Sequence, residues 1–270
     1  PKMRADRRYA GITHIDVGDF TDADAAKVRA HCEKNGIAIS ALGYYPNPLC
    51  ADEKEAGVYI EHIQKMISAA QRLGVTTANT FVGRDHTRSA EDNWTVFERR
   101  WPGIIAHAEK CGIRVGIENC PMSFTADEWP GGKNLANCPK HWREMFRRIP
   151  SQNFGLNYDP SHAVWQFMHS PSHIRAFADR IFHVHAKDAR VLREKIDEVG
   201  VLAAPLEFHE PKLPGLGDVP WGEFFAALTG IGYAGDVNIE VEDRAYERSI
   251  GDRKRALRQS RRFLEGYCGK

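Results

Sequence analysis

No stretch of the chain holds the roughly 18 consecutive apolar residues that a membrane-spanning helix needs, so no membrane function is expected. Charge of one sign is equally scarce. The 37 basic residues stand against 36 acidic ones, for a net charge of +1, whereas a protein that binds nucleic acid along its surface is usually clearly basic. Cysteine is sparse: the six (Cys32, Cys50, Cys111, Cys120, Cys138 and Cys268) are scattered without a CxxC pair. Free thiols in a reducing cytoplasm are the expected state, and 270 residues supply enough core to need no disulfide staples. Cys120 reads as a small buried apolar residue. The opening Pro1-Lys2-Met3-Arg4 does not read as a signal peptide, which agrees with a cytoplasmic location. No Gly-rich phosphate turn follows the first apparent strand, and this weighs against a doubly wound open sheet.

What is present is a repeated unit. Helices expected at 22–35, about 57–73 and about 92–111 end at Gly36, Gly74 and Gly112, each 38 residues after the last. Each glycine is followed by an apolar run: Ile37-Ala38-Ile39, Val75-Thr76-Thr77 and Ile113-Arg114-Val115. A glycine after a helix is the expected left-handed stop, and a fixed period signals a repeated supersecondary unit. Ile60, Ile63, Ile67 and Ala70 fall at helical spacing, so that face of the second helix packs inward. Further helices are expected at 139–149, 171–180, 221–230 and 251–266.

Strands are expected at 11–18, 37–43, 75–82, 113–118, 154–159, 181–185 and 236–241. Helices alternating with buried, non-alternating strands mean a parallel sheet. The expected fold is α/β, a (β/α)8 TIM barrel in one domain over residues 1–270. Seven strands are one short of eight, so the first strand and most of its helix are expected to be missing from the chain. Long loops at about 119–138, carrying Trp129, and 186–218 are expected to act as lids.

Four of the strands end on a residue that can bind a metal: Val115-Gly116-Ile117-Glu118, Gly155-Leu156-Asn157-Tyr158-Asp159, Phe182-His183-Val184-His185 and Val237-Asn238-Ile239-Glu240. In a barrel the carboxyl ends of all strands face one pocket. Three carboxylates there would repel one another unless a divalent cation offset their charge. Oxygen-rich ligation with one imidazole favours manganese, with magnesium or cobalt as alternatives, over a structural zinc cage. His162 is expected to contact substrate. Lys187, Asp188, Arg190, Asp243 and Arg244 follow the ligand positions closely. For Lys187 and Asp188 a surface ion pair is the alternative. His183 is expected to face the opposite side of the strand from His185, in a supporting role. Tyr44, Tyr45, Phe81, Trp129 and Trp165 are the aromatic residues near strand ends or on loops, suited either to a sugar ring or to packing.

From Ile37 onward the chain resembles the sugar phosphate isomerase/epimerase family, the xylose isomerase-like barrels. The resemblance is carried by Ile117-Glu118-Asn119, Asn157-Tyr158-Asp159-Pro160-Ser161-His162, His183-Val184-His185-Ala186-Lys187-Asp188, Pro214-Gly215-Leu216-Gly217-Asp218 and Ile239-Glu240-Val241-Glu242-Asp243. It implies Glu118, Asp159, His185 and Glu240 as metal ligands, His162 as a substrate contact, and Arg190 as the nearest equivalent of an arginine on the loop after the metal histidine; Lys187, beside His185, and Trp129, on the first lid loop, are candidate substrate contacts by position. Arg190 departs from the family spacing. Endonuclease IV shares the barrel but needs extra histidines on early strands, where this chain has Leu42-Gly43-Tyr44-Tyr45 and Thr80-Phe81-Val82-Gly83.

The sugar-acting relatives share an enolate step. A bound ion acidifies the carbon-bound proton, and Glu118 and Glu240 are the expected bases on opposite faces of the substrate. Reprotonation gives an isomerase or epimerase. Loss of a β substituent gives a lyase or dehydratase instead. No phosphate site is evident, so an unphosphorylated keto sugar or keto glycoside is the expected substrate. A non-catalytic sugar-binding barrel is the reading of another class. The resemblance also implies assembly, as a homo-oligomer or with a partner subunit.

Overall fold

The computed structural model describes residues 14–124 and 131–268. Trp129 and the first three residues of the strand expected at 11–18 lie outside them. Contacts divide the chain into two compact units, one of residues 1–118 and 133–156 and the other of residues 119–132 and 157–270. Among the described residues no helix is long and apolar enough to cross a membrane, and all six cysteines are free thiols.

In the first unit α1 (Asp22–Lys34), α2 (Glu53–Leu73), α3 (Ala90–Cys111) and α4 (Pro139–Arg148) alternate with β1 (Leu42–Gly43), β2 (Thr77–Thr80), β3 (Arg114–Glu118) and the first half of β4 (Phe154–Tyr158). These strands lie in sequence order. β1 runs parallel to β2, with Leu42 beside Ala78, and β2 runs parallel to β3, with Thr80 beside Ile117. The helices begin where side chains satisfy their first amides. Asp52 accepts from Glu55 N and Ser89 from Asp92 N, while Thr21 and Asp24 form a reciprocal box. They end where Gly36, Gly74 and Gly112 turn left-handed, at φ 61°, 75° and 66°. The 38-residue period is therefore one helix stop used three times. On α2, Ile63, Ile67 and Ala70 are buried and Ile60 half-buried. Phe97, Trp101 and Phe154 stack with centroids 5.4–6.3 Å apart.

In the second unit the remainder of β4 is followed by α5 (Ser161–Val164), α6 (Ser170–Ala176) and β5 (Ile181–Ala186). Then come β6 (Asp188–Val191), α7 (Arg193–Val199), β7 (His209–Lys212), α8 (Trp221–Gly230), β8 (Val237–Ile239) and α9 (Ile250–Leu264). Strand order is β4-β5-β8, with β5 and β8 parallel and His185 beside Asn238. Tyr158 stacks on Phe224 at 6.1 Å and bonds His173 Nδ1 through its hydroxyl at 2.8 Å.

Two expectations are corrected. Residues 14–18 form no strand: the Asp16 carboxylate accepts from Gly18 N at 2.9 Å and folds the segment into an Asx turn. Residues 186–218 are not one open loop. β6 and β7 pair antiparallel, Asp188 beside Lys212 and Val191 beside His209, with α7 between them. Asp188 anchors this excursion. It is fully buried and accepts from the amides of Ala189, Gly215 and Val219 and from Trp221 Nε1, at 2.8–3.0 Å. Burial pushes its carboxyl up in pKa, against the pull of those donors. Gly217 has to be glycine here, because a Cβ would collide with Asp188 Oδ1 and the Ala189 carbonyl.

Candidate active site

In the first unit Glu118 closes β3 and is buried at 5 % exposure. Its backbone is fixed by Asn134, whose amide nitrogen donates to the Glu118 carbonyl at 2.9 Å. The same side chain accepts from Val82 N and Gly83 N. Tyr44, Tyr45 and Phe81 serve packing: Tyr44 meets His62 at 4.6 Å and Tyr45 meets Phe81 at 4.9 Å.

In the second unit Asp159 follows β4, His185 lies on β5 and Glu240 follows β8, and their ligand atoms come within 4.8 Å of one another. Lys187 sits among them, itself only 4 % exposed. Its Nζ is 3.1 Å from Asp159 Oδ2, 3.0 Å from Glu240 Oε2 and 3.2 Å from Glu242 Oε2. Lys187 and Asp188 are thus both buried, and neither forms the alternative surface pair. Burial alone would raise the Glu240 carboxyl, but the Lys187 ammonium and the His185 ring hold it well below the usual carboxylate range.

Backbone clamps set these positions. Asn119 and Asp159 exchange two bonds: Asn119 Nδ2 donates to the Asp159 carbonyl at 2.9 Å and its Oδ1 accepts from Asp159 N at 2.7 Å. Asp159 Oδ1 accepts from Ser161 N at 2.8 Å. Its Oδ2 is buried and accepts no hydrogen bond of good geometry, facing Lys187 and, at 3.4 Å, His162 Nε2. A carboxylate oxygen so placed, with a second carboxylate and an imidazole Nδ1 close by, is a donor set that fits a divalent cation.

Asn157 orients the imidazole. It lies 3.1 Å from His185 Nε2 and 3.0 Å from His183 Nδ1, leaving His185 Nδ1 directed at Glu240 Oε2, 3.4 Å away. The expectation that His183 faces the opposite side from His185 is corrected. Residues two apart on a strand share a face, and the two rings are 5.7 Å apart over one asparagine. The supporting role expected of His183 is consistent with that contact. The same period of two placed Asn157 on the face of Asp159, a signal available in the sequence but not used. The side-chain clamps of Asn119 and Asn134 left no such signal.

His162, Lys187 and Glu242 line a cleft beside this cluster, with Cys120 and Trp165. Burial opposes charge on His162, but Cys120 and Asp159 beside it carry the imidazole well above its ordinary pKa. Cys120 is buried as expected, with Sγ 3.6 Å from Met122 Sδ. Trp165 lies flat on His209 at 5.0 Å and 16°. His209 bonds the Pro205 carbonyl at 2.6 Å, and burial lowers its pKa to about 4. Arg190 is exposed on β6 opposite Glu210, outside this lining.

Known proteins agree with this architecture. The Bacillus subtilis (strain 168) protein YfiH is 28 % identical over 263 residues, covering 84 % of this chain and 79 % of its own. A crystal structure of D-psicose 3-epimerase in the presence of D-fructose superposes with a TM-score of 0.68 at 18 % identity, covering 94 % of this chain and 86 % of that one. The IOLI protein with a bound zinc atom also gives 0.68, at 17 % identity, covering 94 % and 85 %. The model of the xylose isomerase-like TIM barrel family matches residues 5–267, spanning both compact units, and the chain belongs to that family.

Proposed function

We propose that the protein is a metal-dependent enzyme that enolises a keto sugar, with isomerisation or epimerisation as the outcome. The observation that carries this reading is the cluster of buried Asp159 and part-buried His185 and Glu240, with ligand atoms within 4.8 Å of one another at the carboxyl ends of three strands. Glu118, the buried last residue of β3, is the fourth ligand in this reading, by its place at the corresponding strand end. The family match runs continuously over the chain, which supports one barrel domain over residues 1–270. A cytoplasmic, reducing setting suits the six free thiols.

The ion is divalent, with manganese favoured over magnesium or cobalt on donor chemistry. When bound, it supplies Lewis acidity that lowers the pKa of the carbon-bound proton next to the ketone. The side chains do the rest. One glutamate, Glu118 or Glu240, takes the proton from the α-carbon, and the C–H electron pair passes into the enolate. The other returns a proton to the same carbon from the opposite face, which inverts it. Lys187 and His162 hold substrate hydroxyls, and the Lys187 ammonium offsets the negative charge that develops on enolisation. The substrate is a small keto sugar or keto glycoside. A lyase or dehydratase is the second reading, since the same enolate can lose a β substituent instead of regaining its proton.

The test is a screen of 3-keto-glucosides, free ketoses and inososes in heavy water with manganese, before and after chelation. Metal-dependent deuterium uptake into recovered substrate is expected. Full activity on the true substrate after complete chelation rules out the metal-dependent route, and turnover without uptake points to hydrolysis.

A further inference from the structure

The cleft beside the carboxylate cluster belongs wholly to the second unit and holds about 40 Å³, room for an ion and a water. Cys120, Met122 and His162 meet in its lining. From this trio we infer that the protein binds a cuprous ion through Cys120 Sγ, Met122 Sδ and an imidazole nitrogen of His162, at a site beside the carboxylate cluster and separate from it. The site does not depend on the enolising reading; only the effect of the ion on turnover does.

Three observations carry it. First, the donors stand where a soft ion needs them. Cys120 Sγ lies 3.6 Å from Met122 Sδ. Two sulfurs that share one ion at about 2.3 Å each stand about 3.6–4.0 Å apart, for bond angles of about 105–120°. A ring nitrogen of His162 comes within 4.8 Å of Cys120 Sγ, and the two side chains hydrogen-bond. The ion takes the place of the proton between them. The His162 ring also faces Asp159 Oδ2 at 3.4 Å, and a carboxylate beside a ligating imidazole is its usual support.

Second, the backbone holds the thioether in place. Met122 has φ 56°, a left-handed conformation that a non-glycine residue adopts only where its surroundings impose it. Gly132 backs this turn so closely that a Cβ there would collide with the Pro121 carbonyl. Third, one polar atom in the lining awaits a partner. Ser123 is 8 % exposed, and its Oγ has no hydrogen-bond partner among the described residues. A buried hydroxyl so left marks room for a small polar guest, here a water on the ion.

Donor chemistry and charge choose the ion. Thiolate and thioether sulfur select Cu(I) over the hard cations that suit Asp159, His185 and Glu240. One thiolate neutralises Cu(I), whereas a zinc ion would keep a positive charge near the buried Lys187 ammonium on the same lining. Coordination releases the thiol proton to solvent and leaves copper at +1, so no co-reactant is needed. In the proposed reaction His162 holds a substrate hydroxyl, so a bound ion inhibits turnover by occupying that ring.

The experiment titrates the full chain with Cu(I), kept reduced by ascorbate under argon, against the chromophoric chelator bicinchoninate. X-ray absorption reads the copper ligands. One tightly held equivalent, bound to both sulfur and nitrogen, is expected. Cys120→Ser should weaken it by about 100-fold or more and Met122→Leu by about tenfold or more, while Cys268→Ser, at an exposed thiol, should leave it unchanged. Leucine is close to methionine in volume, so Met122→Leu remains informative if Cys120→Ser does not fold. Wild-type affinity in either Cys120→Ser or Met122→Leu overturns the site. So does loss of the equivalent in Glu240→Gln alone, which places the ion in the carboxylate cluster. Tighter binding of zinc than of Cu(I) by the same residues overturns the choice of ion. Deuterium exchange into a keto sugar at its full rate with copper bound overturns the inhibition and leaves the site standing. Exchange that is absent even without copper counts against the enolising reading alone.

Discussion

Lys187 Nζ stands 3.0 Å from Glu240 Oε2, and that same carboxylate oxygen faces His185 Nδ1 at 3.4 Å. The lysine therefore contacts the oxygen that a divalent cation would take in the proposed site. It is nearly buried, and it balances Asp159, Glu240 and Glu242 together.

Replacing Lys187 by Met is expected to have two opposite effects. The chelated protein loses stability, on the order of 3 kcal/mol, because fully buried Asp159 is left with like charges around it. Metal affinity rises, because the competing ammonium is gone. Thermal unfolding with chelator and with manganese measures both: the metal-induced rise in Tm should be larger for Lys187→Met than for wild type.

Asn157→Ala removes the side chain that His183 and His185 share. Groups that orient a ligating imidazole typically contribute 10–100-fold to metal affinity. Titration calorimetry with manganese should show a loss in that range, with far-ultraviolet circular dichroism unchanged.

His209 gives stability a pH dependence. Burial holds its folded pKa at about 4, below the ordinary histidine value of 6.5, so between these values the unfolded chain binds the extra proton and the folded chain does not. Stability from this group is fully present above about pH 6.5 and falls as pH drops toward 4, by at most about 3 kcal/mol. The carbonyl of Pro205, with His162, Lys187 and Glu210 nearby, completes its surroundings. Urea unfolding of His209→Gln should show a flatter slope than wild type between pH 6.5 and 4.

Asp188→Ala deletes the acceptor of four hydrogen bonds, one from Ala189 N and three that tie β6 to residues 215–221. The buried amides and the Trp221 indole lose their partner together, so a loss of about 3 kcal/mol or more is expected. Limited proteolysis should show early cutting within 187–220. Asp188→Asn, which keeps acceptor capacity at one oxygen, should be milder.

Much of the fold was legible because its signals are local. Gly74 and Gly112 stop helices by a backbone conformation that favours glycine, and Ile63, Ile67 and Ala70 mark one helical face. Asp188-Ala189-Arg190-Val191 and His209-Glu210-Pro211-Lys212 gave no such signal: they are short and rich in charge, and they pair because Asp188 fixes the turn beside them. Asp16 shows the converse, a side chain that turns an apolar-looking run away from a strand. Asp159, His185 and Glu240 were readable as the ends of strands. The period of two marks the face of Asn157, but its reach to His185 and the clamp of Asn119 on Asp159 depend on side chains meeting across the sheet, which spacing along the chain does not reveal.

The most direct test of the central claim is proton exchange at the α-carbon of a bound keto sugar, measured by NMR in heavy water with the manganese-loaded protein. Wild type should incorporate deuterium, Glu118→Gln and Glu240→Gln should each slow incorporation by about 100-fold or more, and chelation should abolish it. Exchange at the wild-type rate in both glutamine variants would contradict the assignment of these carboxylates as the proton-transfer pair.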